Sequence, residues 1–552
     1  MPRLTGRSAF LGLLEDEGIT HLFGNPGTTE LPIMHALPDH PGISFVLGMQ
    51  ESVVVGMADG FGRASGRLTA ANVHVAPGLG NAMGALYNAK FTGTPLLLTA
   101  GQQEQGHGLT EPLLYEPLVR IAEPLVKWAV EVGRLEDLPR IVRRAAKIAT
   151  TPPTGPVFLS LPGDVLNAEA ELDLLASSRV QTRVRPSDAI LEAIARRVLA
   201  AERPVMIVGD ELVKSDALED AAAFALALGC AVWQQPVGNG AHFPSDVPCY
   251  RGTLPRIQPK VRDTLAAHDL LIVVGADPLC MSVYSEVDPM PPGMAVVQIG
   301  LVDRHIARNW PVELAVQADV GETLRALRPV LERTGGAAHA ERARARVAAL
   351  SADSWSRRRE ALVQTIARSA AHRPIDTDWA VLRMVEALPE EAILVDEALT
   401  ASRHVPALLR YRDRFGYHAM ASGGIGWGLA ASVGVSLAHP GRPVVCLTGD
   451  GSAMYTIQAL WTAAHHRLPL TVVLVNNGGY RIIRQRLLAM HGSRRFVGMD
   501  FADPPVDFAA LAASMGLESV RIDDPGTLGD VLASAFRRPG PKLVELMVDG
   551  SV

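Results

Sequence analysis

Short apolar runs ending in glycine or aspartate recur along the chain, each followed by a segment of helix length. A first series is ISFVLG at 43–48, PLLLTAG at 95–101 and GPVFLSLPG at 155–163. PVMIVGD at 204–210, CAVWQQ at 230–235, LLIVVGAD at 270–277 and AVVQIG at 295–300 form a second. The third is AILVDE at 392–397, PVVCLTGDG at 443–451, LTVVLVNN at 470–477 and KLVELMV at 542–548. Unbroken apolar runs, as opposed to strict alternation, belong to strands buried on both faces, so the pattern predicts three α/β units built on parallel sheets. The polar stretch 164–188 and the Arg- and Ala-rich stretch 331–372 read as surface connectors, the second partly helical. The opening MPRLTGRSAFLGLLEDEGI predicts an amphipathic helix interrupted at Glu15, Asp16 and Glu17.

Composition narrows the class. A chain of 552 residues with 48% hydrophobic and 20% charged residues has enough apolar material for several cores and is too apolar for disorder. The net charge of -6 lacks the basic excess of nucleic-acid or anionic-membrane binders, so the Arg-rich run reads as a solvated helix face and a small-molecule ligand is expected. Cys230, Cys249, Cys280 and Cys446 form no CxxC pair. Neither a zinc site nor a disulfide framework is signalled. Without a signal-peptide pattern or a run of about 20 apolar residues, a cytoplasmic protein is expected.

The segment GDGSAMYTIQALWTAAHHRLPLTVVLVNN carries the strongest chemical signal. Gly449-Asp450-Gly451 closes one apolar strand and Asn476-Asn477 closes the next. A strand–helix–strand return of this length brings Asp450 and Asn477 together outside the carboxyl ends of neighbouring strands. One carboxylate and one amide oxygen do not cage a divalent cation, but Mg²⁺ accepts such a set when phosphate oxygens and water complete its octahedron. The pairing therefore predicts a diphosphate.

The same segment resembles the cofactor fingerprint of thiamine-diphosphate enzymes. That resemblance implies three doubly wound parallel-sheet domains: a pyrimidine-binding domain at 1–170, a middle Rossmann-like domain at 188–330 and a diphosphate-binding domain at 372–552. It implies Mg²⁺ held by Asp450, Asn477 and the carbonyl of Gly479, with Gly449, Gly451, Ser452 and Tyr480 around the cofactor. It also implies a glutamate reaching the pyrimidine ring across a subunit interface, and MQESVVVGMADG supplies Glu51. Taken alone, Glu51 also reads as an ordinary acid at a helix start. The stretches GNPGTTELP, HVAPGLGNAMGALYNA, LTAGQQ, LVKWA, GDGSA, ALWTAA and NNGGY are similar to the benzoylformate decarboxylase family across nearly the whole chain. By that likeness Thr28 meets the substrate carboxylate, His74 transfers protons, and Asn25, Pro26, Gly27, Gly78 and Asn81 approach the cofactor. Ile425 props it in a bent conformation, Gly424 lets the backbone come close to its rings, and Thr400 bonds a phosphate. Thr28 also reads as a helix cap, and His74 as a capped strand-end histidine.

Two departures bear on substrate. The family's second active-site histidine falls on Ser282, leaving His107 in GQQEQGHGLTEP as a substitute or as an exposed loop residue. The pocket positions after NNGGY fall on Ile482 and Arg486, and an arginine in place of an aromatic wall points to an anionic or polar tail. The expected activity is non-oxidative decarboxylation of a 2-oxo acid to an aldehyde and CO₂, by a homodimer at minimum and a homotetramer by resemblance. An acetolactate synthase-like carboligase, a lyase of 2-hydroxyketones or 2-hydroxyacyl thioesters, and a non-catalytic regulatory protein stay open. The middle domain has neither a clean GxGxxG nor an Arg-Phe-Asp-Asp run, which disfavours a flavin.

Overall fold

The computed structural model describes residues 2–281, 284–501 and 503–552. These divide into two compact units, one comprising residues up to Val180, Ala371–Ala401 and Met420–Val552, the other Gln181–Ala370 and Ser402–Ala419. In the first unit, β1 (Arg3–Thr5) precedes a sheet of β2 (His21–Gly24), β3 (Ser44–Leu47), β4 (Thr69–Val73), β5 (Leu96–Gln102), β6 (Ala129–Glu131) and β7 (Val157–Pro162). The sheet is all parallel in the order β3-β2-β4-β5-β7-β6. β8 (Glu169–Glu171) lies in the expected connector and pairs antiparallel with β1.

The opening segment differs from its reading as one interrupted helix. Thr5 accepts the Ser8 N–H and starts a helix at Gly6–Asp16, which runs through Glu15 before ending. Glu17 is buried on Arg143 at 2.7 Å.

The second unit holds β9 (Pro204–Val208), β10 (Ala231–Gln234), β11 (Tyr250–Thr253), β12 (Leu270–Val274), β13 (Ala295–Gly300) and β14 (Leu314–Gln317), parallel in the order β11-β10-β9-β12-β13-β14. The Arg-rich connector is helical over Val320–Ser351, with a break at Gly336 (φ 57°), and again over Trp355–Ile366. At the carboxyl ends of the adjacent strands β9, β12 and β13, the edge on which open α/β sheets hold nucleotides, sits the protein's own Glu211. Its carboxylate accepts the N–H groups of Leu301 (2.6 Å) and Val302 (3.2 Å), and burial pushes its pKa up.

In the first unit the third sheet begins with β15 (Ile393–Glu397) and, past β16 (Tyr417–Ala419) of the second unit, adds β17 (Val444–Gly449), β18 (Leu470–Asn476), β19 (Glu518–Ile522) and β20 (Lys542–Met547). β15, β17, β18, β20 and β19 lie in that order, all parallel. The Glu51–Ser65 helix packs on the Trp427–Ala438 helix at backbone contact. A Cβ on Gly60 would lie 2.2 Å from the Ala431 carbonyl oxygen, and one on Gly434 would lie 1.9 Å from that of Met57. Only glycines permit this crossing. Asp59 locks it by accepting the Trp427 indole N–H at 2.5 Å. Among the described residues no helix is long and apolar enough to cross a membrane.

Candidate active site

The first sheet reverses its winding between β2 and β4, the place where such sheets bind ligands, and the residues following β2, β3 and β4 meet there. Gln50 caps the Glu51–Ser65 helix by accepting the N–H groups of Ser52 and Val53, which sets Glu51 at the first helical position. Glu51 is 7% exposed. Its Oε1 accepts the Asn25 amide at 3.3 Å and its Oε2 the Asn81 amide at 3.0 Å. A Cβ on Gly78 would lie 3.0 Å from Oε1, so the glycine leaves room for the carboxylate. Three positions singled out in the sequence thus serve a fourth.

A residue the sequence reading passed over organises the adjoining group. Glu30 is fully buried, and its Oε2 takes the Gly27 N–H (3.0 Å) and His74 Nδ1 (2.7 Å). Its Oε1 takes the Gly101 N–H (2.8 Å) and the Thr29 hydroxyl (2.9 Å). Nδ1–H donated to this carboxylate leaves Nε2 of His74 as the ring nitrogen that can exchange a proton. Val75, next in the chain, has φ of 38°, a left-handed conformation that costs a β-branched residue about 1–3 kcal/mol. Thr28 is exposed and does not cap its helix, the cap position belonging to Gly27. Pro26, just before Gly27, is exposed. Thr28 and exposed His107 line one cleft of about 610 Å³.

On the third sheet, Gly449 and Asn476 end adjacent strands, and the following residues converge as the spacing predicts. Asp450, 2% exposed, accepts the Gly451 N–H on Oδ1 (2.8 Å) and the N–H groups of Asn477 (3.2 Å) and Gly479 (3.0 Å) on Oδ2. Burial raises its pKa, and these donors oppose the rise. Asn477 Oδ1 is buried with no hydrogen-bond partner, an arrangement that is costly unless a ligand satisfies it. Among the described residues no three His, Cys, Asp or Glu side chains gather to hold a metal. Asp450, the orphaned Asn477 oxygen and the Gly479 carbonyl instead make a hard-oxygen set that fits Mg²⁺ completed by diphosphate. Gly479 (φ 157°) has no room for a Cβ, which would lie 2.3 Å from the Met499 carbonyl oxygen. Tyr480 packs edge-on against Phe501 and closes over Gly451. Ser452 is buried behind them.

The loop with Gly424 and half-buried Ile425 is tied down at both ends. Asn88 donates to the Gly424 carbonyl at 3.1 Å, and Glu397 accepts the N–H groups of Gly426, at 2.5 Å, and Gly428. Glu397 also bonds Ser452, joining this loop to the Asp450 turn. Thr400 is half-buried after Leu399, whose φ is 45°. Burial pushes Glu397 up to about 7 from the usual carboxylic value. Because the folded protein holds this proton more tightly than the unfolded chain, the cost of burying the carboxylate is absent near pH 4 and complete above pH 7. Glu397→Gln should therefore gain, relative to the native chain, about 2.5 kcal/mol of stability between pH 5 and pH 8. Denaturant titrations at both pH values check this, and a pH-independent difference would refute it.

Ser282 lies outside the described residues. Ile482 is half-buried and Arg486 exposed on the Arg481–His491 helix, which buries none of its residues.

The chain matches three family models. They are the thiamine pyrophosphate enzyme N-terminal TPP binding domain over residues 4–113, the central domain over 191–327 and the C-terminal TPP binding domain over 401–546. It is 33% identical to a benzoylformate decarboxylase of Pseudomonas aeruginosa over 548 residues, covering 98% of each chain. It is 26% identical to the acetolactate synthase large subunit of Haemophilus influenzae, over 97% of this chain and 93% of the other. The solved structure of a thiamine diphosphate-dependent 4-hydroxybenzoylformate decarboxylase from Rhodococcus jostii RHA1 superposes with a TM-score of 0.87 at 30% identity, covering 99% of this chain and 100% of that one.

Proposed function

The chain belongs to the thiamine pyrophosphate enzyme family, and from that premise we propose that it is a Mg²⁺-dependent, non-oxidative decarboxylase of a 2-oxo acid. Its three domains would be 1–170, 188–330 and 372–552. Bound thiamine diphosphate supplies the electron sink that labilises the bond to the carboxylate. Asp450, Asn477 and Gly479 would hold the cation, while Glu51, steadied by Asn25 and Asn81, would hold a proton at the pyrimidine nitrogen. Thr28 orients the substrate carboxylate. The carbon that loses CO₂ must gain a proton to leave as an aldehyde: His74 Nε2 first takes one from solvent, with His107 at the cleft as a relay, while Nδ1–H stays on Glu30, and the resulting imidazolium delivers it.

The observation that carries this reading is the imidazole fixed by the buried Glu30 carboxylate, because a decarboxylase needs a positioned proton donor where a ligase needs a second carbonyl compound. Glu211 at that edge of the middle-domain sheet supports a flavin-free enzyme. Four cysteines without a disulfide support a cytoplasmic setting. By likeness to its relatives the enzyme would act as a homodimer or homotetramer, Glu51 serving the cofactor on a second copy.

The test is CO₂ release and product mass from the Mg²⁺- and thiamine-diphosphate-loaded enzyme, offered pyruvate and branched, aryl and carboxylate-tailed 2-oxo acids, with and without an acceptor aldehyde. Aldehyde and CO₂ without acceptor are expected. CO₂ only alongside a hydroxyketone would replace the reading by carboligation. In the same panel Arg486→Ala should relieve discrimination against aryl acids, raising their kcat/KM relative to neutral aliphatic acids about tenfold, and an unchanged ratio would remove Arg486 from the substrate pocket.

A further inference from the structure

The cleft beside Thr28 extends away from His74 along the carboxyl ends of β5 and β7, and its far side is built from residues to which the reaction assigns no part. Its near end, at Thr28 and Thr29, approaches His74 from the side fixed by Glu30, lining residue Thr29 lying 3.2 Å from His74 Nδ1. Its far side carries Arg7 from the Gly6–Asp16 helix, His35 from the Leu31–Ala36 helix and Asn167. The volume of about 610 Å³ suits a small-molecule site and exceeds what a compact substrate such as pyruvate fills.

The charges in the cleft are unbalanced. Arg7, His35 and His107 are its cationic or protonatable side chains, and Glu104 is its one carboxylate. Arg7 is half-buried as a residue, its guanidinium is held at the solvent edge from one nitrogen by the neutral Asn167 amide at 3.0 Å, and among the described residues no carboxylate pairs with it. A guanidinium steadied by a neutral partner keeps its charge and its remaining N–H fork for an incoming anion, the geometry that matches a carboxylate.

Resting on the decarboxylase reading, we propose that this cleft takes the tail of the substrate, a 2-oxo acid whose chain ends in a second carboxylate, with the reacting end at Thr28 and His74 and the tail carboxylate on Arg7. Asn167 is then a positioning residue for Arg7. A guanidinium-tailed acid would face three cationic or protonatable groups and is disfavoured. A neutral tail would leave Arg7 without its counter-ion.

Two readouts on the loaded holoenzyme test this in the native chain, Arg7→Met and Arg7→Lys. One is kcat/KM for a straight-chain 2-oxo acid with a terminal carboxylate against a neutral 2-oxo acid of equal length and a guanidinium-tailed one. The other is calorimetric binding of glutarate, an unreactive dicarboxylate. In Arg7→Met the dicarboxylate-to-neutral ratio should fall about 10- to 100-fold, through KM more than kcat, glutarate should weaken similarly, and Arg7→Lys should recover part of both. A ratio and a glutarate affinity indifferent to Arg7, or preference for the guanidinium tail, overturns the proposal. If no 2-oxo acid turns over but glutarate still depends on Arg7, the decarboxylase reading falls and the anion site stands. Turnover with both readouts indifferent to Arg7 means the reverse.

Discussion

Replacing Glu51 by glutamine should lower kcat for 2-oxo acid decarboxylation by about 10²- to 10⁴-fold, the range a positioned acid–base group contributes. The substitution keeps shape and removes only the capacity to exchange a proton. Asn25 and Asn81 donate to the carboxylate oxygens, and a glutamine still offers one oxygen to one of them, so the turn between β3 and its helix is expected to survive. The helix itself is set by the Gln50 cap and by its glycine-mediated crossing, neither of which involves the Glu51 side chain. Far-ultraviolet circular dichroism and thermal midpoint should match the native protein while turnover collapses. Native turnover in this variant would remove Glu51 from catalysis and leave it as a helix-start acid.

How far this site could be read in advance depends on the range of the interactions that build it. Asp450 and Asn477 were legible because the β17–helix–β18 return encodes their meeting in spacing alone, and the structure joins them through a 3.2 Å hydrogen bond. The long core strands were legible for a similar reason, being continuous apolar runs. Edge strands such as β6 and β19 are short and carry Glu131, Glu518 and Arg521, so they lack that signature. Glu30 escaped because its partners arrive from three separate segments, Gly27, His74 and Gly101, and no local period announces a contact between residues 71 positions apart. The signal that was present is a glutamate three residues after the Gly27 turn, a spacing at which a side chain can reach back to its own helix start. Asn88, which fixes the Gly424 carbonyl from 336 positions away, had no comparable cue.

Removing the Asp450 carboxylate should act on the other end of the cofactor. Asp450→Ala takes away the charged oxygen proposed as a Mg²⁺ ligand and the acceptor for the backbone N–H groups of Gly451, Asn477 and Gly479. Each buried donor left without a partner costs about 1–3 kcal/mol, so the variant alone should melt below the native chain. That loss does not identify a metal site, and the informative quantity is the response to ligand. A ligand that binds only the folded state raises its stability by an amount that grows with concentration over Kd, so Mg²⁺ with thiamine diphosphate should raise the native melting temperature. With the anionic oxygen gone, Asn477 Oδ1 and the Gly479 carbonyl are neutral donors too weak to hold Mg²⁺ against hydration. The Mg²⁺-dependent rise should vanish in Asp450→Ala, and cofactor retention through gel filtration should fall at least about 100-fold. Glu51→Gln should keep both. A variant pair in which Asp450→Ala retains the Mg²⁺ response, or in which Glu51→Gln loses it, would place the diphosphate elsewhere than at the turn joining Asp450 to Asn477.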